Sequence, residues 1–134
     1  MVTLLILTRL ASTSKLLDLQ AKCSEQARKA FADLGYSKND VASYENHYNA
    51  KLDKCFIHVR HDARTPGTIW TNRDLFDAFE GKVYGTYMLH TNKVKKYWEV
   101  SELKCKVTLP SREKKDCRSE DEFTELAKVY MEGN

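Results

Sequence analysis

The stretch that decides the fold is residues 55–61, "CFIHVRH". Its side chains form two alternating sets, Cys55, Ile57 and Val59 on one side and Phe56, His58 and Arg60 on the other. A period of two is typical of a β-strand, because successive side chains point to opposite faces of a sheet. We therefore predict a strand here, with the face that carries Cys55 turned toward the core.

A helix is predicted before the strands and another after them. Residues 16–34 place apolar side chains on one helical stripe, and Gly35 follows as a terminator. The stripe consists of Leu16, Leu19, Cys23, Ala27, Ala30, Phe31 and Leu34. Near the C-terminus, Ser119 and Glu122 have the spacing of a capping box and open a helix of about three turns.

Further strands are expected between the helices. Two extended segments flank the Glu80–Gly81 pair, and residues 103–109 alternate again. The second extended segment is residues 83–90, in which Tyr87 and Leu89 are expected opposite Tyr84 and Met88.

Three polar stretches are predicted to connect these elements. Residues 37–54 suggest a short helix or an irregular loop, with Val41, Tyr44, Tyr48 and Leu52 spaced loosely along one helical face. Residues 62–68 contain Pro66–Gly67 and predict a turn or loop, and residues 92–96 predict a polar turn.

Helix, consecutive strands and helix is the order of an α+β protein. We predict an N-terminal helix, an antiparallel β-meander of about four strands, a C-terminal helix and two disulfides. One or both helices are expected to cover the apolar face of the sheet. Residues 18–134 are expected to form a single domain.

Residues 1–17 have two interpretations. A short apolar run ends at Leu7, and small residues follow Arg9, as in an altered or degenerate export signal, although the basic start of such a signal is missing. The alternative is an extension of the first helix. The run is far shorter than the ~20 residues of a membrane-spanning helix, so no membrane span is predicted.

The composition is that of a soluble folded domain. The chain has 134 residues, 42% of them hydrophobic and 31% charged. Its 22 basic and 19 acidic residues leave a net charge of +3, too small and too interspersed to indicate a nucleic-acid partner. The partner is unknown, no cofactor is indicated, and we expect a monomer or a weak homo-oligomer.

The four cysteines favour two disulfides. Cys23 lies on the buried helical stripe and Cys55 on the core face of the strand, so a bridge between them would join the two layers. Cys105 and Cys117 are a local pair across the turn that contains Pro110. Disulfides would place the protein in the periplasm or outside the cell. The alternatives are buried free thiols in a cytoplasmic protein and, less in keeping with the pattern, a catalytic thiol.

The histidines raise a catalytic alternative. His47, His58 and His61 lie within fifteen residues, which would suit a small hydrolase or a metal-dependent enzyme. On a strand, however, His58 and His61 point to opposite faces. No metal-ligand spacing and no triad pattern is present, so we assign no catalytic residue and no metal ligand.

Binding is the more general expectation. The candidate binding residues are His47, Tyr48 and Asn49, placed in a loop before the strand, and Tyr84, Tyr87 and Trp98 as a surplus of aromatic side chains. Two basic turns, residues 93–97 and 112–115, give a further alternative, weak binding of nucleic acid or an anionic surface.

Four segments carry a resemblance to a known group: "KCSEQARKAF", "YENHYNAKLDKCFI", "DAFEGKVYGTY" and the late cysteine pair before "SEDEF". Over about residues 18–132 the chain resembles small exported bacterial proteins of uncharacterised function. The resemblance implies export and paired cysteines and carries no catalytic residue. We therefore expect a small, disulfide-linked binding or structural module in the periplasm or outside the cell, with no assignable specific activity.

Overall fold

The structure, a computed structural model, describes residues 2–38, 40–92 and 102–133. Its elements in chain order are α1 (Val2–Asp33), β1 (Val41–Asn49), β2 (Lys54–Thr65), β3 (Thr68–Asp77), β4 (Val83–Asn92), β5 (Glu102–Thr108), β6 (Lys114–Asp116) and α2 (Glu120–Met131). The strands form one antiparallel sheet in the order β1 to β6. The α+β class and the meander are confirmed, but the described chain has six strands rather than about four.

The strand at residues 55–61 is confirmed and is buried on both of its faces. All five residues from Cys55 to Val59 are buried. The side chains of Ile57 and Val59 pack with α1, whereas Phe56 packs with α2 on the other face. The two helices therefore cover opposite faces of the sheet, and the prediction of a single covered face was incomplete.

Aromatic side chains hold α2 on its face. The ring of Phe56 lies 4.8 Å from the ring of Tyr130, and both side chains are fully buried with Phe123. Truncating a buried aromatic side chain to alanine typically costs about 3–5 kcal/mol. The Tyr130 hydroxyl also donates a hydrogen bond to the carbonyl of Thr108, which ties α2 to the end of β5.

The start of α2 is fixed by a cap and by a buried arginine. Ser119 accepts a hydrogen bond from the N–H of Glu122 at 3.1 Å, as the capping-box spacing predicts. The Glu122 carboxylate accepts from the N–H of Arg118. Arg73 of β3 is 8% exposed and binds Glu120 at 2.8 Å and Asp62 at 3.0 Å. Two carboxylates thus compensate the buried guanidinium.

The second half of α1 packs on the sheet. Cys23 and Ala27 are fully buried, and Phe31 packs beside them. Residues 13–18 are exposed, and the predicted stripe residues Leu16 and Leu34 lie outside the contact, at 38% and 44% exposure. Gly35 follows the helix with a φ of +69°, a conformation in which glycine is favoured. No described helix is long and apolar enough to cross a membrane.

The prediction of a short helix or loop for residues 37–54 was wrong for β1. The reason is that Tyr44 and Tyr48 are four residues apart, a spacing that fits one face of a helix and one face of a strand equally well. Both tyrosines pack on the α1 side, and the polar residues between them are tolerated because β1 is an edge strand with a half-exposed face. His47, Tyr48 and Asn49 are therefore strand residues and not loop residues.

Two further predictions need correction. The turn expected at residues 62–68 is confined to Pro66–Gly67, because β2 and β3 remain paired as far as Thr65 and Thr68. Tyr84 and Tyr87 were expected on opposite faces, yet both pack against the α2 cluster. A bulge where β3 and β4 pair shifts the alternation there and turns Tyr84 toward α2.

Both expected disulfides are present. Cys23–Cys55 joins α1 to β2, and Cys105–Cys117 joins β5 to the residue after β6. No cysteine is left free. The free-thiol alternative and the catalytic-thiol alternative therefore do not describe this structure.

Candidate functional site

His47 and Asn49 contact the end of α2. The Nε2 atom of His47 is 2.5 Å from the carbonyl oxygen of Gly133. The Asn49 amide donates to the carbonyl of Val129 at 3.0 Å, and its oxygen accepts from the N–H of Leu52. Because carbonyls at a helix C-terminus lack partners within the helix, these contacts satisfy groups that would otherwise be unpaired. Asn49 is 1% exposed, which leaves its side chain inaccessible to a ligand.

Tyr48 lies on the other face of β1, beside α1. Its hydroxyl donates a hydrogen bond to Asp53, and the same bond raises the pKa of Tyr48. Together with Leu19 and Lys54, these residues border a cavity of about 260 Å³ near the Cys23–Cys55 disulfide. The three neighbouring candidates of β1 therefore do not converge on one site.

The aromatic candidates are mainly part of the core. Tyr87 is 5% exposed, and the ring of Tyr84 lies 5.2 Å from the ring of Tyr130. Burial raises the pKa of Tyr87. Trp98 and the basic turn at residues 93–97 lie outside the described residues.

His58 and His61 are separated by the sheet, as the strand prediction implied, whereas His47 shares the face of His58. His58 faces α2, with its ring 5.7 Å from that of Phe123, whereas the ring of His61 stacks on Tyr36 at 4.2 Å on the α1 side. Within residues 2–38, 40–92 and 102–133, no three His, Cys, Asp or Glu side chains are placed to hold a metal ion. His58 and His61 therefore do not meet at one centre.

His58 is a buried polar group in the α2 core. It is 5% exposed, and its Nε2 atom has no hydrogen-bond partner among the described residues. Burial, with a smaller contribution from the positive charge of Arg60, lowers the pKa of His58 to about 4. The ring is therefore neutral at pH 7 and acts as part of the packing.

A concave surface lies on β4, β5 and β6. It is a groove of about 980 Å³ whose ionisable lining is almost entirely basic. We call it the basic groove. Its five basic side chains are Lys82, Lys104, Lys106, Arg112 and Lys114. Asp116 is the single acidic residue in the lining, and its carboxylate is 3.8 Å from the Lys106 ammonium.

Strand alternation places the lysines of β5 in the basic groove. Cys105 and Val107 are buried toward α2, so Lys104 and Lys106 point away from it. On β6, Lys114 pairs with Thr108 of β5 and therefore shares the face of the two β5 lysines. This face of β5 and β6 carries no described helix, since α1 packs on β1 and β2.

Positive charge is concentrated in the basic groove. Its lining holds five of the 19 basic residues and one of the 18 acidic residues found in residues 2–38, 40–92 and 102–133. The rest of that part of the chain has 14 basic and 17 acidic residues. The pair formed by Lys106 and Asp116 is solvent-exposed, at 57% and 84%, and such pairs contribute little to stability. An anionic ligand can therefore replace Asp116 as the partner of Lys106 at small cost.

Arg112 reaches the basic groove from a strained turn. Its φ is +73°, in the left-handed region that side chains with a Cβ atom rarely adopt. The turn is closed by the N–H of Arg112, which donates to the carbonyl of Leu109 at 2.8 Å. Glycine would adopt this backbone conformation without strain. Arginine at this position therefore carries an energetic cost.

Part of the basic groove is visible in the sequence. Arg112 and Lys114 belong to the predicted basic turn at residues 112–115. Lys104 and Lys106 were visible only as the polar half of an alternating strand, and Lys82 as part of a hairpin turn. No sequence signal joined them, because their proximity depends on the register of β4, β5 and β6.

Comparison with known proteins adds no assignment. No protein-family model, no curated protein and no solved structure matches the chain. The resemblance to small exported bacterial proteins therefore stays a prediction, of which the paired cysteines are the part that the structure bears out.

Proposed function

We propose that this protein is a disulfide-linked binding module of an oxidising compartment, the periplasm or the cell exterior, and that its basic groove holds a linear polyanion. The observation that carries the proposal is the collection of five basic side chains around one groove, while the rest of the described chain has more acidic than basic residues. The two disulfides support the compartment, since such bonds persist outside the reducing cytoplasm.

The spacing of the basic side chains favours a chain-like ligand. Lys104 and Lys106 are two residues apart on one strand, which separates their Cα atoms by about 7 Å. Lys114 follows on the neighbouring strand. One small anion cannot contact all of these ammonium groups, whereas successive phosphate or sulfate groups of a polymer can. Exposed lysines also act as point charges without fixed geometry, which suits recognition by charge rather than by sequence.

Binding by charge predicts a steep dependence on salt. Four to five phosphate contacts with a single strand imply that the logarithm of the association constant falls with the logarithm of salt concentration with a slope of about −3. The assay is fluorescence polarisation with a labelled single-stranded 12-mer and with a heparin-derived hexasaccharide, each between 50 and 200 mM salt. Tighter binding of one of the two at equal salt would identify the phosphate or the sulfate ligand.

Matched variants test whether the basic groove is responsible. The double variant Lys104→Gln, Lys114→Gln removes two contacts and is expected to weaken binding roughly 25-fold at 100 mM salt. The control, Lys29→Gln with Lys51→Gln, makes the same change in net charge at exposed positions of α1 and of the turn after β1. Equal loss in both variants, or no binding of either polyanion at 50 mM salt, would refute the proposal.

A further inference from the structure

The two edges of the sheet differ in how they resist further pairing. β6 is three residues long, "KKD", and all three side chains are exposed and charged. Short, charged edges of this kind discourage the addition of another strand. β1 at the opposite edge has nine residues and pairs with β2 in unbroken register from Val41 to Asn49. Its sequence, "VASYENHYN", contains no lysine, arginine or proline.

β1 is also accessible at alternate positions in its first half. In the described part of the chain, β1 pairs with β2 only. Val41 is 72% exposed, and Ser43 and Glu45 are exposed on the same face. An open edge without a bulge or a basic residue is a template for another strand.

From these observations we infer that β1 is a self-pairing surface: two copies of the chain join β1 to β1 antiparallel about a two-fold axis at Asn46. The six strands of each copy then form one continuous sheet. This surface is separate from the basic groove at the other edge, so the inference does not depend on the proposed function.

Side-chain chemistry selects the axis at Asn46. In an antiparallel pair, opposite residues share a face and their residue numbers have a constant sum. An axis at Asn46 places Glu45 opposite His47 twice and Tyr44 opposite Tyr48 twice. Opposite charges and aromatic pairs placed directly opposite each other both stabilise antiparallel strands.

The neighbouring registers are less favourable. An axis at Glu45 places the two Glu45 carboxylates against each other, and like charges opposite one another destabilise a sheet. An axis at His47 places Glu45 opposite Asn49, whose side chain is already committed to α2. The Glu45–His47 register leaves existing contacts in place, because the protonated ring of His47 donates from Nε2 to the carbonyl of Gly133 and from Nδ1 to the Glu45 carboxylate of the second copy.

A charge swap tests the register. Glu45→Lys places lysine opposite His47, and His47→Glu places glutamate opposite Glu45, so each variant alone is expected to be monomeric. Mixed in equal amounts, they restore two opposite-charge pairs and are expected to form a heterodimer. The readout is sedimentation velocity at ~10 µM to 1 mM, because a contact this small gives a weak dimer.

Several outcomes would overturn the inference: a natural chain that stays monomeric to ~1 mM, a Glu45→Lys variant that still dimerises, or a mixture that stays monomeric. His47→Glu loses the contact with Gly133, so its thermal unfolding is measured first. Should it fail to fold, hydrogen exchange in the natural chain decides. The β1 amides must become more protected as concentration rises, and unchanged protection contradicts the inference.

Discussion

β2 and β5 hold equivalent positions, each second from an edge of the same sheet, yet they are covered differently. β2 is buried on both faces, with α1 on one side and α2 on the other. β5 buries Cys105 and Val107 under α2 and exposes Lys104 and Lys106 on the opposite face. The comparison shows that one alternating pattern can build either a core strand or a binding face, depending on the chemistry of its second set of side chains.

The region of β2 and the region of β5 with the basic groove each contain one disulfide. Removing these disulfides is expected to give the largest difference between the two regions in the free energy of unfolding. Cys23–Cys55 closes a loop of 32 residues and joins α1 to β2, whereas Cys105–Cys117 closes 12 residues beside the basic groove. In the chain-entropy account, replacing both cysteines of a pair by alanine lowers the free energy of unfolding by about 4 kcal/mol for the first pair and about 3 for the second. Urea unfolding of the two double variants measures the difference, and the opposite order would contradict it.

His58 gives the β2 region a pH-dependent stability. Its folded pKa of about 4 lies below the ordinary value of 6.5, so the unfolded chain takes up the proton first. Stability is therefore expected to fall as pH drops from about 6.5 toward 4, by about 2 kcal/mol at pH 5.

The measurement for His58 is urea unfolding at pH 7 and pH 5. His58→Phe is expected to remove this part of the pH dependence, since an uncharged ring then fills the site beside Phe123. His90→Gln, which removes a histidine stacked on Trp70 at 3.8 Å, serves as the control. This variant should keep the pH dependence of the natural chain. Equal pH dependence in the natural chain and His58→Phe would show that His58 is not responsible.

Arg112 carries the smallest expected effect on stability. Arg112→Gly relieves the left-handed backbone but adds conformational freedom to the unfolded chain, so the free energy of unfolding is expected to stay unchanged or rise by up to about 1 kcal/mol. Polyanion binding should weaken roughly fivefold at 100 mM salt, because one contact is lost. A stability loss above about 1 kcal/mol would mean that the guanidinium has a structural role instead.

The sequence predicted the β2 region better than the β5 region. Residues 55–61 alternate over a full strand, and Cys23 and Cys55 lay on the faces that meet, so that bridge followed from local patterns. Two features were predicted wrongly. The strand β1 was missed because the four-residue spacing of Tyr44 and Tyr48 fits a helix or a strand. The face of Tyr84 was wrong because the bulge beside it leaves no trace in a single sequence.

The basic groove was harder to predict for a physical reason. Lys82, Lys106 and Lys114 come from three separate segments, and only the pairing of the strands brings them to one groove. In the sequence each is an ordinary exposed lysine in a chain of nearly balanced charge. Charge clustering is therefore a property of the fold, and composition alone predicted no anionic partner.

Chemical-shift mapping tests the central claim most directly. The ¹⁵N-labelled protein is titrated with the single-stranded 12-mer and with the heparin hexasaccharide at 50 mM salt. We expect saturable shifts in the amides of β5, β6 and the turn at Arg112, with those of β2 unchanged. Shifts centred on β1 and β2, or no shifts with either polyanion, would contradict the assignment of the basic groove as the binding face.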